Sequence, residues 1–264
     1  MPPRELKLFP HPNPGWIQSL TWLNSAHYDT VVDDACRATV KGRFLFHLIP
    51  GVINTRARME WNRLLLVVAQ NKGSDTRRVK NVGGGIHPLT KAGKPSLYPR
   101  PRKLKALRWA KEGIFGFEGV GRGCGPCAFN RKRPDEYGQL VTLCESISAL
   151  AHEYEPELWD WQWDLTQLHR KLTIGIWSQG VSNFCFPMTA HADTGNQPRS
   201  FSASLVEGFF EGGPLIFPNY RVGVFLKPGD LLLFNGRELH GVGPFVGTRS
   251  SAVLYLKKDI LRCP

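Results

Sequence analysis

The chain has 264 residues, of which 42% are hydrophobic, and its 34 Lys and Arg against 22 Asp and Glu give a formal net charge of +12. A chain of this length and composition buries a sizeable core as one large domain, or at most two, which excludes disorder and fibrous structure. The longest apolar run, residues 64–69, is too short to span a membrane, and residues 1–16 lack the apolar stretch of a signal peptide. We therefore expect a soluble intracellular protein.

The first part of the chain predicts little regular structure. The first ~40 residues show no clear periodicity, and we expect them to wrap the surface. Residues 42–49 alternate polar and apolar side chains before Pro50-Gly51, which predicts a strand. The apolar, β-branched run at residues 63–70 fits either a buried strand or the end of a helix.

Positive charge is concentrated in one segment. Residues 71–133 hold 16 Lys and Arg and three acidic residues, a balance of +13, and the rest of the chain is close to neutral. The segment is also rich in Gly and Pro, which favours long surface loops. Because neutralised phosphates release counterions, we expect this segment to contact double-stranded DNA. A solvated basic loop without a partner, or a nuclear-import tract at residues 100–105, remains an alternative.

The remainder predicts two helices followed by a β-rich core. Apolar residues recur at intervals of three and four over residues 134–154, and residues 158–168 are typical of a short helix beneath a sheet. From Lys171, short β-rich runs separated by Gly, Pro and Asn indicate an antiparallel sandwich or barrel. The predicted strands cover residues 172–177, 200–207, 214–218, 221–226, 230–234 and 250–257.

We accordingly predict one α+β domain over residues 1–264. Its parts are N-terminal strands and long basic loops over 1–134, supporting helices over 135–170, and the β core over 171–264. We expect the protein to be a monomer.

The six cysteines are too few and too scattered for a disulfide scaffold, which fits a reducing compartment. Cys124 and Cys127 have the spacing of a redox pair, but the sequence around them lacks the preceding strand and following helix of that motif. They also match half a zinc site, which Cys36, Cys144 or His87 would have to complete. A plain loop is the third interpretation.

Two histidines and an aspartate in the β-rich part have the spacing of a metal site. His191 and Asp193 are separated by one residue, so their side chains point the same way from an extended segment. His240 follows His191 by 49 residues. Two imidazoles and a carboxylate on one face of an octahedron leave three open positions, which suits non-haem Fe(II). An H-x-D pair also arises by chance, and His240 taken alone fits a buried histidine.

A candidate carboxylate clamp lies on the last predicted strand. The guanidinium fork of Arg249, beside the hydroxyl of Ser251, suits the distal carboxylate of a dicarboxylic acid. Arg249 taken alone also fits a surface charge. Asn183, eight residues before His191, either contacts the same cosubstrate or forms a turn at the end of a strand.

The order of these motifs resembles the double-stranded β-helix 2-oxoglutarate/Fe(II) dioxygenases. That order is H-x-D, a Gly212-Gly213 hairpin, Pro228-Gly229-Asp230 before an apolar strand, His240, and then R-x-S. Within this superfamily the chain resembles the TET/JBP group, which oxidises the methyl group of 5-methylcytosine or thymine in DNA, and especially its short fungal-type members. The resemblance implies a jelly-roll or cupin-like core with flanking helices, and it covers about residues 170–260.

Two further positions carry the TET/JBP resemblance. Asn196 follows Asp193 by three residues, where that family has an Asn or Asp bonded to the flipped base. Tyr255 follows Arg249 by six, where the family has an aromatic residue stacked on the base. The sequence departs from the pattern at Lys257, where the family has His. A charged Lys neither accepts a hydrogen bond nor stacks. The identity of the base is therefore not fixed, and 5-methylcytosine is the first expectation.

The resemblance implies Fe(II) as metal, with 2-oxoglutarate and O₂ as cosubstrates. His191, Asp193 and His240 would hold the iron, and Arg249 would clamp 2-oxoglutarate, whose decarboxylation to succinate drives oxidation of a nearby methyl group. A base inside a duplex must be flipped out to reach such a pocket. A nuclear location follows from a DNA substrate.

Two other functions remain open at this point. One keeps the iron chemistry but acts on a protein side chain, RNA or a small molecule. The other is a catalytically silent DNA-binding module, against which the presence of all three metal ligands and the Arg clamp argues.

Overall fold

Two β-sheets and four α-helices make up the part of the chain that this computed structural model describes, residues 3–13, 16–17, 21–71, 111–186 and 188–264. The strands are β1 (Arg4–Leu8), β2 (Thr30–Val32), β3 (Cys36–Val40), β4 (Arg43–Ile49), β5 (Lys111–Gly116), β6 (Gln179–Phe184), β7 (Ser202–Gly212), β8 (Leu215–Phe217), β9 (Val222–Val224), β10 (Leu231–Phe234), β11 (Gly241–Val242) and β12 (Phe245–Tyr255). The helices are α1 (Thr55–Gln70), α2 (Ala128–Lys132), α3 (Pro134–Tyr154) and α4 (Pro156–Thr166). Most of the basic segment, residues 72–110, lies outside the described residues.

The two sheets face each other. The larger has eight strands in the order β1-β3-β4-β10-β7-β12-β6-β5, and the smaller has four in the order β11-β8-β9-β2. The chain passes from β7 in the larger sheet to β8 and β9 in the smaller, returns to β10, and crosses again to β11 before β12. This alternation between two facing sheets agrees with the predicted double-stranded β-helix.

The larger sheet separates two apolar cores. Side chains alternate across a strand, so Ala252 and Leu254 of β12 face the helices, where they belong to the same buried cluster as Leu64 of α1. On the other face, Val206 of β7 packs in a second cluster with Phe217 of the smaller sheet. The helices therefore support the sheet from behind and leave the space between the sheets for a site.

The helices agree with the periodic patterns in the sequence. Helix α3 spans the predicted 134–154 and buries the side chains that recur along one face, and α4 covers most of the predicted short helix. The run at 63–70 is the second half of α1 and not a strand. Within the described residues, no helix is long and apolar enough to cross a membrane.

The interpretation of the first 40 residues as surface wrapping is wrong. Strand β1 pairs in parallel with β3, and β2 pairs in parallel with β9 of the smaller sheet. Val32 and Cys36 are completely buried in these strands. The strands are three to five residues long, too short for a periodic signal, and the partner of β2 lies far away in sequence.

Two predictions around the β core are also wrong. Residues 172–177 form no strand, because the apolar run ends a 3₁₀-helix at Leu172 and makes a tight turn from Ile174 to Trp177 before β6 begins. Gly212 and Gly213 do not form a hairpin. With φ angles of +79° and +68°, which favour glycine, they carry the chain from the larger sheet into the smaller one.

The cysteines depart from the expectation of a reducing compartment. Cys124 forms a disulfide with Cys263 and not with Cys127. The pair at 124 and 127 is therefore neither a redox couple nor half of a zinc site with Cys36 or Cys144, which are buried free thiols. His87, the third proposed zinc partner, lies outside the described residues. Burial raises the pKa of the Cys127 thiol to about 11, which makes it a poor nucleophile near neutral pH.

A buried ion network joins the larger sheet to the helices. Glu155, between α3 and α4, accepts hydrogen bonds from Arg37 Nε at 2.6 Å and from His47 Nδ1 at 2.9 Å. Arg37 and His47 are cross-strand partners on β3 and β4. Burial alone would raise the pKa of the Glu155 carboxyl, but the hydrogen bonds from His47 and Arg37 outweigh burial and hold this pKa below its ordinary value of 4.5.

We expect Glu155→Gln to lower the free energy of unfolding by about 2–3 kcal/mol near neutral pH, because it leaves the buried His47 and the partly buried Arg37 without their carboxylate. A depressed folded-state pKa means that this stabilisation is present above the ordinary pKa of 4.5 and is lost as the pH falls through the lower, folded-state value. Urea unfolding at several pH values measures the gap in free energy of unfolding between the unaltered protein and the variant. The exposed Glu157→Gln is the control, and a gap that stays constant below pH 4.5 would contradict the assignment.

Removal of the disulfide should also destabilise the fold. Cys263→Ser should cost about 2–4 kcal/mol without reductant, because the bond restrains an unfolded chain over a separation of 139 residues. Reductant should lower the stability of the unaltered protein and leave the variant unchanged. Titration of six thiols, in place of four, in the denatured and unreduced protein would show that the bond does not form.

Candidate functional site

A cavity lies between the sheets, against the inner faces of β6 and β12. Alternation along β12 directs Arg249, Ser251, Val253 and Tyr255 into it. His191, Asp193 and His240 line the same cavity. Asn183 lines it as well, so seven of the predicted site residues, drawn from separate segments, meet in one place.

The three predicted metal ligands form one cluster. One ligand atom from each of His191, Asp193 and His240 lies within 4.8 Å of the others. The backbones of the two histidines form an isolated antiparallel bridge, with His191 N donating to His240 O at 2.8 Å and His240 N donating to His191 O at 2.9 Å. Two segments 49 residues apart are thus joined at the ligands themselves.

Backbone carbonyls orient both imidazole rings. The Nδ1 atom of His191 lies 2.8 Å from the carbonyl oxygen of Thr189, and Nδ1 of His240 lies 2.8 Å from that of Glu238. A carbonyl only accepts, so each Nδ1 carries the proton and each Nε2 carries the lone pair. This tautomer presents Nε2 as a metal ligand, and the donor set fits a divalent transition metal.

The loop before His240 also holds the Asp193 segment. Asp193 N donates to Gly236 O at 2.9 Å, and Arg237 Nη1 donates to the carbonyl oxygens of Thr194 at 3.0 Å and Asn196 at 2.8 Å. Sequence reasoning missed Arg237, because an exposed-looking arginine three residues before a histidine carries no motif. Its position becomes informative only when the two loops are side by side.

Arg249 is a buried cation aimed at the cavity. It is 5% exposed, and its Nε has no hydrogen-bond partner. Burial lowers the pKa of Arg249 to about 10, because loss of water contacts disfavours the charged form. The guanidinium still stays charged near neutral pH. A buried, incompletely paired guanidinium fits the carboxylate of a dicarboxylic acid, so the residues present match the implied 2-oxoglutarate.

Asn183 lies within β6 and not in a turn at its end, which corrects that alternative. It stands directly opposite Ser251 of β12, and both line the cavity. Its Oδ1 is buried without a hydrogen-bond partner. Asn183 is therefore placed to serve a polar ligand beside the Arg249 clamp.

Tyr255 reaches the cavity at the other end of β12. Its hydroxyl donates to Oε1 of Gln179, its cross-strand partner on β6. Gln179 Nε2 in turn donates to the carbonyl oxygen of Phe117 at 3.2 Å and to Cys127 Sγ at 3.4 Å. Sequence reasoning missed Gln179 because residues 179–184 were not assigned to a strand. Its spacing from Val181 and Asn183 would have placed it on the cavity face.

Asn196 and Lys257 do not line the cavity. Asn196 is buried, and its Nδ2 donates to Ser202 Oγ at 3.4 Å. The Lys257 ammonium lies 3.8 Å from the Asp259 carboxylate. The backbones of Asn196 and Lys257 form an isolated bridge, so the two predicted base contacts are neighbours although neither faces the cavity.

The chain is similar to known proteins in sequence and in fold. No protein-family model matches the sequence. "Thymine dioxygenase JBP1" of Leishmania braziliensis is 24% identical over 122 residues, which is 43% of this chain and only 14% of that relative's length. The solved structure of NgTET1 in complex with 5mC DNA matches with a TM-score of 0.62 at 15% identity, covering 92% of this chain and 82% of that chain. OsALKBH1 matches with a TM-score of 0.41 at 12% identity, covering 80% and 96%.

These matches confirm two predictions. The structural match to NgTET1 confirms the double-stranded β-helix fold. Together with the sequence match to JBP1, it confirms the resemblance to the TET/JBP group.

Replacement of any one of the three clustered ligands should abolish stoichiometric Fe(II) binding. His191→Ala, Asp193→Ala and His240→Ala each leave two ligands, and we expect no iron to be retained after gel filtration under anaerobic conditions. Circular dichroism checks the fold, and His152→Ala, which removes an exposed histidine, is the control. Retention of iron by all three variants would exclude the cluster as the metal site.

Proposed function

We propose that this protein is a 2-oxoglutarate- and Fe(II)-dependent dioxygenase that oxidises the methyl group of a methylated base in DNA. The observation that carries the proposal is the shared cavity, in which the cluster of His191, Asp193 and His240 stands with the buried cation of Arg249. The relatives support it, because JBP1 is named a thymine dioxygenase and NgTET1 is described in complex with 5mC DNA.

Each residue has a separate task in this proposal. The Nε2 atoms of His191 and His240 and the carboxylate of Asp193 would hold the metal. Arg249 and Ser251 bind the distal carboxylate of 2-oxoglutarate, with Asn183 beside them. Bound Fe(II) and 2-oxoglutarate supply the O₂-dependent oxidising power, with succinate and CO₂ as co-products.

The apolar walls of the cavity keep water away from the reacting groups. Val181 and Val253 stand opposite each other on β6 and β12, and both line the cavity between the clamp and Tyr255. A methyl group neither donates nor accepts a hydrogen bond. Its recognition therefore depends on the shape of the cavity and on a position within a few Å of the oxidant. An apolar wall provides that shape.

Tyr255 is the proposed contact to the base. Its ring lines the cavity while its hydroxyl is held by Gln179, which fixes the ring plane without using its face. A flipped base stacked on that face recovers part of the cost of leaving the duplex. Asn196 and Lys257 are proposed to approach the edge of the base from the neighbouring loop.

DNA is proposed to bind along the basic segment at 71–133, which carries the +13 balance of the chain. Phosphate contacts from this segment would hold the duplex while the cavity receives one base. With DNA as the substrate, we propose a nuclear location, and 5-methylcytosine is the first base to test.

We expect oxidation of one methylated base together with release of succinate. The protein is loaded anaerobically with Fe(II) and 2-oxoglutarate, mixed with duplexes that carry 5-methylcytosine, N6-methyladenine or thymine, and exposed to air. Mass spectrometry of the nucleosides detects the gain of oxygen or the loss of the methyl group. Asp193→Ala is the inactive control, and its duplex affinity should stay within a few-fold because the ligand lies inside the cavity.

The other outcomes separate the rival functions. Succinate without a modified base would overturn DNA as the substrate and direct the search to protein, RNA or small molecules. Absence of succinate under all conditions would overturn the dioxygenase and favour a silent DNA-binding module.

A further inference from the structure

Beyond the end of the larger sheet, β7 and β12 continue as a two-stranded ribbon. Residues 245–248 of β12 pair only with residues 209–212 of β7. β6 pairs with β12 from Ser250 onward, Cys185 N after β6 donates to Arg249 O, and β10 pairs with β7 only at residues 202–204. Arg249 stands at the base of this ribbon, opposite Gly208. An isolated ribbon is marginally stable, so its side chains must be held by packing.

The ribbon places two phenyl rings around the guanidinium of Arg249. The Cζ atom of Arg249 lies 5.4 Å from the ring centre of Phe210 and 5.8 Å from that of Phe245. Both distances are within the range of cation–π attraction. Both rings are partly buried, whereas their neighbours Phe209 and Val246 are 93% and 70% exposed on the opposite face of the ribbon.

Glycines make room for this arrangement. Phe210 stands across the ribbon from Gly247, and Phe245 stands across from Gly212, so neither ring meets an opposing side chain. A Cβ on Gly213 would lie 3.3 Å from Arg249 Nε and 3.1 Å from Phe245 Cβ. A larger residue at that position would therefore press on the guanidinium and on one of the rings.

No carboxylate in the described part of the chain forms an ion pair with Arg249. An acidic partner would stabilise the buried cation, but it would occupy the N–H groups that a dicarboxylate needs. An aromatic ring attracts the cation through its π face and accepts none of its N–H groups in a strong hydrogen bond. Rings thus stabilise the charge and leave its hydrogen-bonding edge available.

We propose that Phe210 and Phe245 are positioning residues that hold Arg249 for the distal carboxylate of 2-oxoglutarate. The proposal rests on the proposed function, because it takes that cosubstrate as the ligand of Arg249. Neither ring lines the cavity, so both act through Arg249 and not by touching the cosubstrate.

The test compares two 2-oxo acids on the Fe(II)-loaded protein by anaerobic calorimetry. 2-Oxoglutarate reaches Arg249, whereas 2-oxopentanoate has a methyl group in place of the distal carboxylate and gains nothing from the guanidinium. For Phe210→Leu and Phe245→Leu, which keep an apolar side chain without a π face, we expect the Kd for 2-oxoglutarate to rise about 3- to 30-fold. The Kd for 2-oxopentanoate should not change.

Two controls accompany these variants. Phe209→Leu, the exposed neighbour on the same strand, should leave both affinities unchanged. Phe210→Tyr keeps the π face and should retain the affinity of the unaltered protein for 2-oxoglutarate. In turnover, the leucine variants should show a raised KM for 2-oxoglutarate with kcat maintained, and thermal melting checks that they fold.

Three results would overturn the proposal. Unchanged 2-oxoglutarate affinity in both leucine variants would show that the rings do not position Arg249. Equal losses for the two 2-oxo acids would show that the rings only support the shape of the cavity. If the unaltered protein binds no 2-oxoglutarate, the proposed function itself fails, and this inference fails with it.

Discussion

The pair of backbone hydrogen bonds between His191 and His240 is the constraint on which the candidate site depends. Each histidine donates to the carbonyl of the other, so the two ligand segments keep one register at the open end of the sheets. Carbonyls of Thr189 and Glu238 then set the tautomer of each ring. A metal ion needs its ligands within a few tenths of an ångström, and backbone pairing provides that precision more reliably than mobile side chains.

The cavity contains two groups of opposite electrostatic character, the His191, Asp193 and His240 cluster and the buried Arg249 cation. Around the predicted metal position, two imidazoles and a carboxylate form a donor set for a divalent cation. Arg249 is a buried cation whose neighbours are rings and small residues rather than acids. A charge buried in this way costs free energy in the unliganded protein, and binding of a dianion recovers that cost. The cavity therefore holds both a metal-ligand cluster and a buried cation before any ligand enters.

Sequence patterns predicted the long, regular parts of the fold well and the short or distant parts poorly. Helix α3 follows directly from apolar residues at intervals of three and four. Strands β1 and β2 escaped notice because a strand of three to five residues holds too few alternations, and their partners are chosen by tertiary packing. The disulfide between Cys124 and Cys263 shows the same limit, since nothing local indicates a partner 139 residues away.

The amino-acid sequence by itself determined which functional groups the chain supplies. These are the metal-ligand types, the spacing of His191 and Asp193, the cation at Arg249 and the concentration of positive charge in one segment. These are properties of residue identity and near spacing, which survive in any fold. Only the tertiary structure decided that Asn183 faces Ser251, that Gln179 holds Tyr255, and that the Asn196 amide bonds to Ser202. The direction of a side chain depends on strand register and sheet pairing, and register is set by contacts between segments that are far apart in the chain.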